Sequence, residues 1–198
     1  TEEWEPGKVK VVLHGGRARG RYVLFRTDGK NWMMHRMDEA DPGWVPLPER
    51  IAPMLATTSQ LPANDAGWTY EMKWDGIRAL VRITADEVTL TSRNGKDMTA
   101  TYPDLVDAIR SSVTTPSAVL DGEIVALDRT SRPDFGRLQQ RMGLSKPHDV
   151  ERAMKSVPVH LMLFDLIERN GDSLIMRGYE QRRELLAELV AAPERGAV

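Results

Sequence analysis

The chain contains no cysteine. That excludes a disulfide scaffold, a thiolate nucleophile and a cysteine-ligated zinc site, and it fits a reducing cytoplasm. No apolar run of spanning length and no leader pattern occurs, so the expectation is a soluble cytoplasmic protein without a membrane partner. Charge of one sign is also lacking: 27 Lys+Arg stand against 29 Asp+Glu, a formal balance of −2 that by itself says nothing for nucleic acid. Two phosphate-binding patterns are missing as well, since neither Gly-x-x-x-x-Gly-Lys-Ser/Thr nor Gly-x-Gly-x-x-Gly occurs. What remains is a chain of 198 residues, 41% hydrophobic and 28% charged, long enough to bury one full domain with a smaller attachment.

The charge is unevenly spread. Residues 1–37 hold eight Lys/Arg and four Asp/Glu, a local balance of +4 that leaves −6 for the rest. Lys8–Leu13, Arg21–Arg26 and Asn31–Met37 read as three short strands, with Gly15-Gly16 and the hairpin signal Asp28-Gly29 between them. A meander this small is expected to be the end of a larger β domain. Its basic residues could steer a polyanion or simply line an exposed sheet face. His14 and His35 have no clustered carboxylate and read as solvated or structural side chains. Five prolines between Pro42 and Pro62 forbid a continuous helix or a central strand, which makes 38–67 a connector with a boundary near 38–50. Within it, Ile51–Ala56 is an apolar island expected to pack on the domain that follows.

That domain is organised around Glu71-Met72-Lys73-Trp74-Asp75-Gly76-Ile77-Arg78. Thr69–Lys73 reads as a strand, Asp75-Gly76 as a tight turn using a positive φ at Gly76, and Ile77–Ile83 as the returning strand. Glu87–Ser92 supplies a third strand, followed by the polar turn Arg93–Asp97 around Asn94-Gly95. Pro103 opens a helix to about Arg110. Ala118–Leu127 is a strand pair or a bulged strand in which Asp121 and Glu123 share a side. Phe135, Leu138 and Met142 mark a short amphipathic helix, and Val150 and Met154 another weak one. Val159–Ile167 is a nearly continuous apolar strand expected at the sheet centre, and Tyr179–Val190 a clearer helix with Leu185, Leu186, Leu189 and Val190 on one stripe. Lys73, Glu71, Arg78, Arg93, Lys96, Glu123 and Phe164 fall at strand ends or turns. The set offers cations for phosphate, a carboxylate for ribose or metal, an aromatic platform and an amine nucleophile. Each also has an ordinary reading: a charged surface hairpin around Lys73, Phe164 in the core, Glu123 paired with an arginine, Arg93 in a solvated turn.

Lys73-Trp74-Asp75-Gly76 resembles the nucleotidyl-lysine motif Lys-x-Asp-Gly of the covalent nucleotidyltransferases, the superfamily of DNA ligases, RNA ligases and capping enzymes. Ser92-Arg93-Asn94-Gly95, Leu120-Asp121-Gly122-Glu123 and Leu163-Phe164-Asp165-Leu166 follow in the order and spacing of the next three motifs. Tyr179-Glu180-Gln181-Arg182-Arg183 resembles the segment after them in ATP-dependent DNA ligases, in particular the ligase modules of bacterial multifunctional non-homologous end-joining proteins (ligase D). Residues 11–15, 20–26 and 30–35 are similar to the last strands of the 3′-phosphoesterase module of such proteins.

The resemblance implies an α+β adenylation-domain fold over 51–198, a linker over 38–50 and phosphoesterase strands over 1–37. It implies ATP-dependent DNA ligation, with Lys73 as the residue that accepts AMP. Glu71 would then contact the adenine amino group and Phe164 stack on the ring. Arg78 and Arg93 would hold phosphate or ribose, and Glu123 would bind ribose or the metal, Mg2+ or Mn2+. The partners implied are nicked or broken double-stranded DNA and a DNA-end-binding protein. An RNA-ligase or capping-like activity and a non-catalytic DNA-binding or scaffold role are the competing expectations. In the family a Glu-Gly strand and a strand with two lysines follow Phe164, and an oligonucleotide-binding domain closes over DNA. None of these occurs before Val198, so the chain alone is expected to be defective in sealing and weak in forming the lysine adduct.

Overall fold

The structure is a computed structural model that describes residues 2–14, 19–37 and 51–190, without the side chains of His14 and Arg19. The Gly15-Gly16 turn, the 38–50 boundary, the His14 side chain and the last eight residues lie outside the described residues.

Near the N-terminus, β1 (Glu3–Glu5), β2 (Lys8–His14), β3 (Arg19–Asp28) and β4 (Asn31–Arg36) form an antiparallel sheet in sequential order. Four strands replace the three expected, because Glu3–Glu5 pairs with Lys8–Lys10 around a turn in which Gly7 takes φ 86°. The Asp28-Gly29 hairpin forms as read. Three of the basic residues are not free: Lys8 and Lys10 pair with Glu3, and Arg21 with Glu2. The local positive balance is therefore partly neutralised within the sheet.

The second sheet has the order β6-β5-β7-β8-β9, made of β5 (Ile77–Ile83), β6 (Val88–Ser92), β7 (Ala118–Ala126), β8 (Val159–Arg169) and β9 (Asp172–Ser173). All its pairings are antiparallel. Register sorts the side chains by face. Ala79, Val81 and Ile83 lie opposite Gly122, Leu120 and Ala118 and belong to the main core. Helices α1 (Pro103–Ser112), α2 (Phe135–Gln139), α3 (Pro147–Ser156) and α4 (Tyr179–Leu189) follow the strands. Leu105 and Ile109 of α1, Leu138 of α2 and Leu186 and Leu189 of α4 join that core. Burying each of these side chains contributes about 1.5–3 kcal/mol. Proline opens α1 and α3, where its missing N–H costs no helical bond, and the Asp134 carboxylate caps α2 by accepting from the Arg137 N–H at 3.0 Å.

The opposite face carries Arg78, Leu80 and Arg82 across from Glu123, Asp121 and Val119. Here Ile51 packs on Leu80, Val119 and Ile167 and Pro53 is buried, while Met54 and Leu55 stay exposed, so only the start of the apolar island is held. Among the described residues no helix is long and apolar enough to cross a membrane.

Three expectations are corrected. Thr69–Lys73 is not a strand, because it has no backbone partner among the described residues and an isolated extended segment gains nothing from its alternation. Asp75-Gly76 is consequently not a hairpin turn but the bend through which the chain enters β5, and Gly76 does not use a positive φ. Val159–Ile167 is not central: β9 pairs only with Glu168 and Arg169, so among the described residues most of β8 is bonded on one edge only.

Candidate active site

Two charged pairs dominate the polar face of the second sheet. Arg78 Nε and Nη2 donate to the two carboxylate oxygens of Asp121 at 2.6 and 2.7 Å. Arg182 Nε and Nη2, from α4, donate to those of Asp165 at 2.7 and 2.9 Å. Asp121 and Asp165 are direct partners across β7 and β8, so two like charges face one another and each requires its own guanidinium. Arg78 is held above its ordinary value, first by its hydrogen bond to Asp121. Burial pushes the Asp121 carboxyl up against the opposing pull of Arg78. The Arg78 guanidinium also lies over the Phe164 ring, 4.5 Å from its centroid.

Glu123 sits one residue beyond Gly122, opposite Arg78 in register, and forms no ion pair within 4 Å among the described residues. Burial raises its carboxyl above the ordinary value, with Arg78, Lys73 and the Gly76 N–H pulling the other way. Among the described residues it is thus a carboxylate of this cluster without a guanidinium or ammonium partner, able to accept from a hydroxyl or to meet a cation beside the Gly76 N–H. Two glycines make the arrangement sterically possible. A Cβ on Gly76 would lie 2.1 Å from the Ile124 carbonyl oxygen and 3.0 Å from Glu123 Cγ, so only glycine lets the Lys73 loop lie against β7. A Cβ on Gly122 would lie 2.8 Å from the Met162 carbonyl oxygen, in the stretch where the β7–β8 register shifts.

The sequence-selected residues divide in three. Arg78, Glu123 and Phe164 come together, and Lys73 lies near enough to act electrostatically on Glu123. Lys73 itself is exposed and makes no ion pair or side-chain hydrogen bond among the described residues. Glu71 is exposed on the same loop and accepts a hydrogen bond from the Tyr179 hydroxyl. Arg93 stands apart on its turn, which is closed by Gly95 N–H to Ser92 O and by Lys96 N–H to Ser92 Oγ. Among the described residues it makes no hydrogen bond or ion pair with the cluster. Asp121, Asp165, Tyr179 and Arg182 belong to the site and were not selected from sequence. The signals were nonetheless there: Asp121 shares a side with Glu123 by the period of two, and Tyr179 and Arg182 are three apart on one helix face.

A groove of about 820 Å³ opens between residues 69–74, Leu161–Leu163 and α4. It is lined by Glu71 and Tyr179 but not by Lys73 or Phe164, so it adjoins the charged cluster without containing it. The donor set suits a nucleotide with a hard cation. Among the described residues no three metal-ligating side chains gather, and one free carboxylate is what a magnesium-type ion needs when phosphates and water fill the remaining positions.

A family model described as ATP dependent DNA ligase domain matches residues 53–198. The multifunctional non-homologous end joining protein LigD of Mycobacterium bovis is 38% identical over 187 residues, 94% of this chain and 23% of its own length. The bifunctional non-homologous end joining protein LigD of Bacillus subtilis is 36% identical over 146 residues, 72% of this chain and 23% of its own. The solved structure of mycobacterial DNA ligase D complexed with ATP and MES matches 69% of this chain and 42% of that chain at 35% identity and a TM-score of 0.56. The likeness makes the second sheet and its helices an α+β fold of nucleotidyltransferase type. The chain spans 23% of the length of these two curated relatives.

Proposed function

Because the chain belongs to the ATP-dependent DNA ligase domain family, we propose that it carries the adenylation chemistry of an end-joining DNA ligase, with Lys73 as the nucleophile. The observation that carries this reading is the placement of the Lys73 loop against β7 by Gly76, beside the free carboxylate of Glu123. In the reaction, the free amine of Lys73 attacks the α-phosphorus of ATP. A nitrogen–phosphorus bond forms as the bond from that phosphorus to the bridging oxygen breaks, pyrophosphate leaves, and the amine loses its proton to solvent. AMP then passes to a DNA 5′-phosphate, and an adjacent 3′-hydroxyl displaces it to close the strand.

The other residues take roles that follow from their surroundings. Arg78, braced by Asp121, offers its remaining N–H to phosphate or ribose. Glu123 accepts from a ribose hydroxyl or holds a divalent cation, Mg2+ or Mn2+, which when bound would offset charge at the reacting phosphate. Phe164 stacks on the base, with Arg78 over the ring. Glu71 accepts from the adenine amino group. Arg93, on its exposed turn, meets phosphate farther from the reacting atoms. Nicked or broken duplex DNA is the substrate, and a DNA-end-binding protein is the candidate recruiter. The N-terminal sheet reads as the end of a 3′-phosphoesterase-like module: the match to the Mycobacterium bovis protein covers 94% of the chain, whereas the ligase domain begins at residue 53.

The test is incubation of a version extended through the full adenylation and oligonucleotide-binding domains with ATP labelled at the α-phosphate plus magnesium, followed by mass mapping. The expected outcome is an acid-labile AMP adduct on Lys73 that Lys73→Ala abolishes. An adduct of equal yield in the Lys73→Ala protein would sink the assignment.

A further inference from the structure

Helix α4 presents three side chains on one face to β8 and to Glu71. Residues 179, 182 and 183 are three and four apart, so they point the same way. Arg182 grips the Asp165 carboxylate in the bidentate pair already described and also donates to the Arg177 carbonyl at 2.5 Å. Arg183 donates to the Leu163 carbonyl at 3.2 Å. These two anchors flank Phe164 on either side along β8. The third side chain, Tyr179, bridges to a segment 108 residues earlier in the chain, where its hydroxyl donates to Glu71 Oε1. Arg182 lies 6.0 Å from the centre of the Tyr179 ring, so the ring is braced by the same arginine that fixes the helix.

Glu71 otherwise has little to hold it. It is exposed, on a segment with no strand partner among the described residues, and a free glutamate there samples many rotamers. A hydrogen bond to one carboxylate oxygen fixes the plane of the group and leaves Oε2 as a directed acceptor. An acceptor so aimed accepts from the exocyclic amine of adenine and faces the carbonyl oxygen that guanine presents at the same place. Discrimination of this kind depends on the acceptor being held, since a mobile carboxylate can turn away from the wrong base at little cost.

We propose that Tyr179 is a positioning residue for base selection, its hydroxyl holding the Glu71 carboxylate so that the site takes adenine over guanine nucleotides. This rests on the reading of Glu71 as the adenine contact. The donor is in its protonated form across the working range, because burial and then the Glu71 carboxylate push the Tyr179 hydroxyl up to about 12.

The experiment is equilibrium binding of labelled ATP and labelled GTP to the 198-residue chain without metal, for the parent, Tyr179→Phe, Glu71→Ala and the double variant. Phenylalanine keeps the ring and its contact with Arg182 and removes only the donor. Glu71→Ala approaches the same pair from an exposed position. The parent is expected to prefer ATP. Tyr179→Phe should lower ATP affinity about tenfold, the value of one hydrogen bond to a charged group, and raise GTP affinity, since the freed Glu71 carboxylate can turn away from the guanine carbonyl. In the Glu71→Ala background the tyrosine change should add nothing. A purely structural role for Tyr179 would weaken both nucleotides alike, and that result overturns the proposal. So does a parent preference for ATP that survives intact in Tyr179→Phe, which leaves the Glu71 reading standing. A parent that binds the two nucleotides equally, with no change in Glu71→Ala, removes the Glu71 reading itself and the proposal with it.

Discussion

Gly76 is required for the space it leaves rather than for an unusual backbone angle. Its Cβ-less face meets the Ile124 carbonyl oxygen, and an added methyl at 2.1 Å has no flexible neighbour to displace. Gly76→Ala is therefore expected to cost roughly 1–3 kcal/mol or to swing the Lys73 loop off β7. A lowered melting temperature together with loss of the Lys73 adduct would report it, and a variant that melts and labels like the parent would contradict the close approach. Glu123 gives a second prediction at this scale. Its carboxyl is raised above the ordinary 4.5, chiefly by burial. An acid whose folded value exceeds its unfolded one favours folding while protonated, and that contribution is lost as pH rises through the folded value. Glu123→Gln, which mimics the neutral acid, should thus melt higher than the parent at neutral pH. The gap should close as pH falls toward and below 4.5, where both forms are uncharged. A gap that stays constant with pH would point to packing instead. The raised value also records a cost of keeping an anion in the site, which is the usual relation between a binding carboxylate and stability.

At the level of elements, α4 is fixed to β8 by a charge pair that is largely out of water, with Arg182 and Asp165 side chains only 14% and 19% exposed. Removing one partner leaves the other charge stranded beside Asp121. Arg182→Met is expected to destabilise by roughly 2–4 kcal/mol, near the low end for buried pairs because both groups keep some solvent. Adding Asp165→Asn should recover part of the loss, a non-additivity that denaturant melts would reveal. Additive losses would mean that the pair carries no coupling. This is also the level at which the sequence was least informative. Ile77–Ile83, Val88–Ser92 and the helix opening at Pro103 were legible because alternation, turn residues and caps are local signals. Thr69–Lys73 alternates just as convincingly and is no strand, because pairing is decided by a partner and not by the segment. Asp165 passed unselected within Leu163–Leu166 for a related reason. Its function depends on an arginine 17 residues away and on register with Asp121, and neither relation is written in a four-residue motif. The close approach of Gly76 to β7 lies within the Lys73-Trp74-Asp75-Gly76 motif itself, so that geometric requirement is contiguous in sequence with the lysine it places.

For the whole molecule, the Lys73 loop belongs to an exposed irregular stretch before β5, and most of residues 54–73 face solvent. Trypsin is expected to cut after Lys73 early, ahead of bonds within the second sheet. Addition of ATP and magnesium should suppress that single cut, because a lysine carrying AMP no longer presents the cation trypsin requires. The time course of fragments, read by mass, checks this without any substitution in a version extended through the full adenylation and oligonucleotide-binding domains. Cleavage after Lys73 that proceeds unchanged at saturating ATP would count against both the adduct and the placement of the nucleotide.

The facing aspartates of β7 and β8 have a consequence for how such a site can drift over evolutionary time. Asp121 and Asp165 repel across the ladder unless Arg78 and Arg182 are both present, so no single one of the four can be neutralised without leaving an unbalanced charge on the sheet. Substitution should therefore proceed in linked steps. A lineage that loses the positive charge at 182 should be found to have lost the negative one at 165, whereas positions 78 and 121 should change together or stay fixed, since Arg78 also covers Phe164. Among diverged copies of this domain, the four positions would read as two separately inherited pairs, with the pair on α4 the freer to vary.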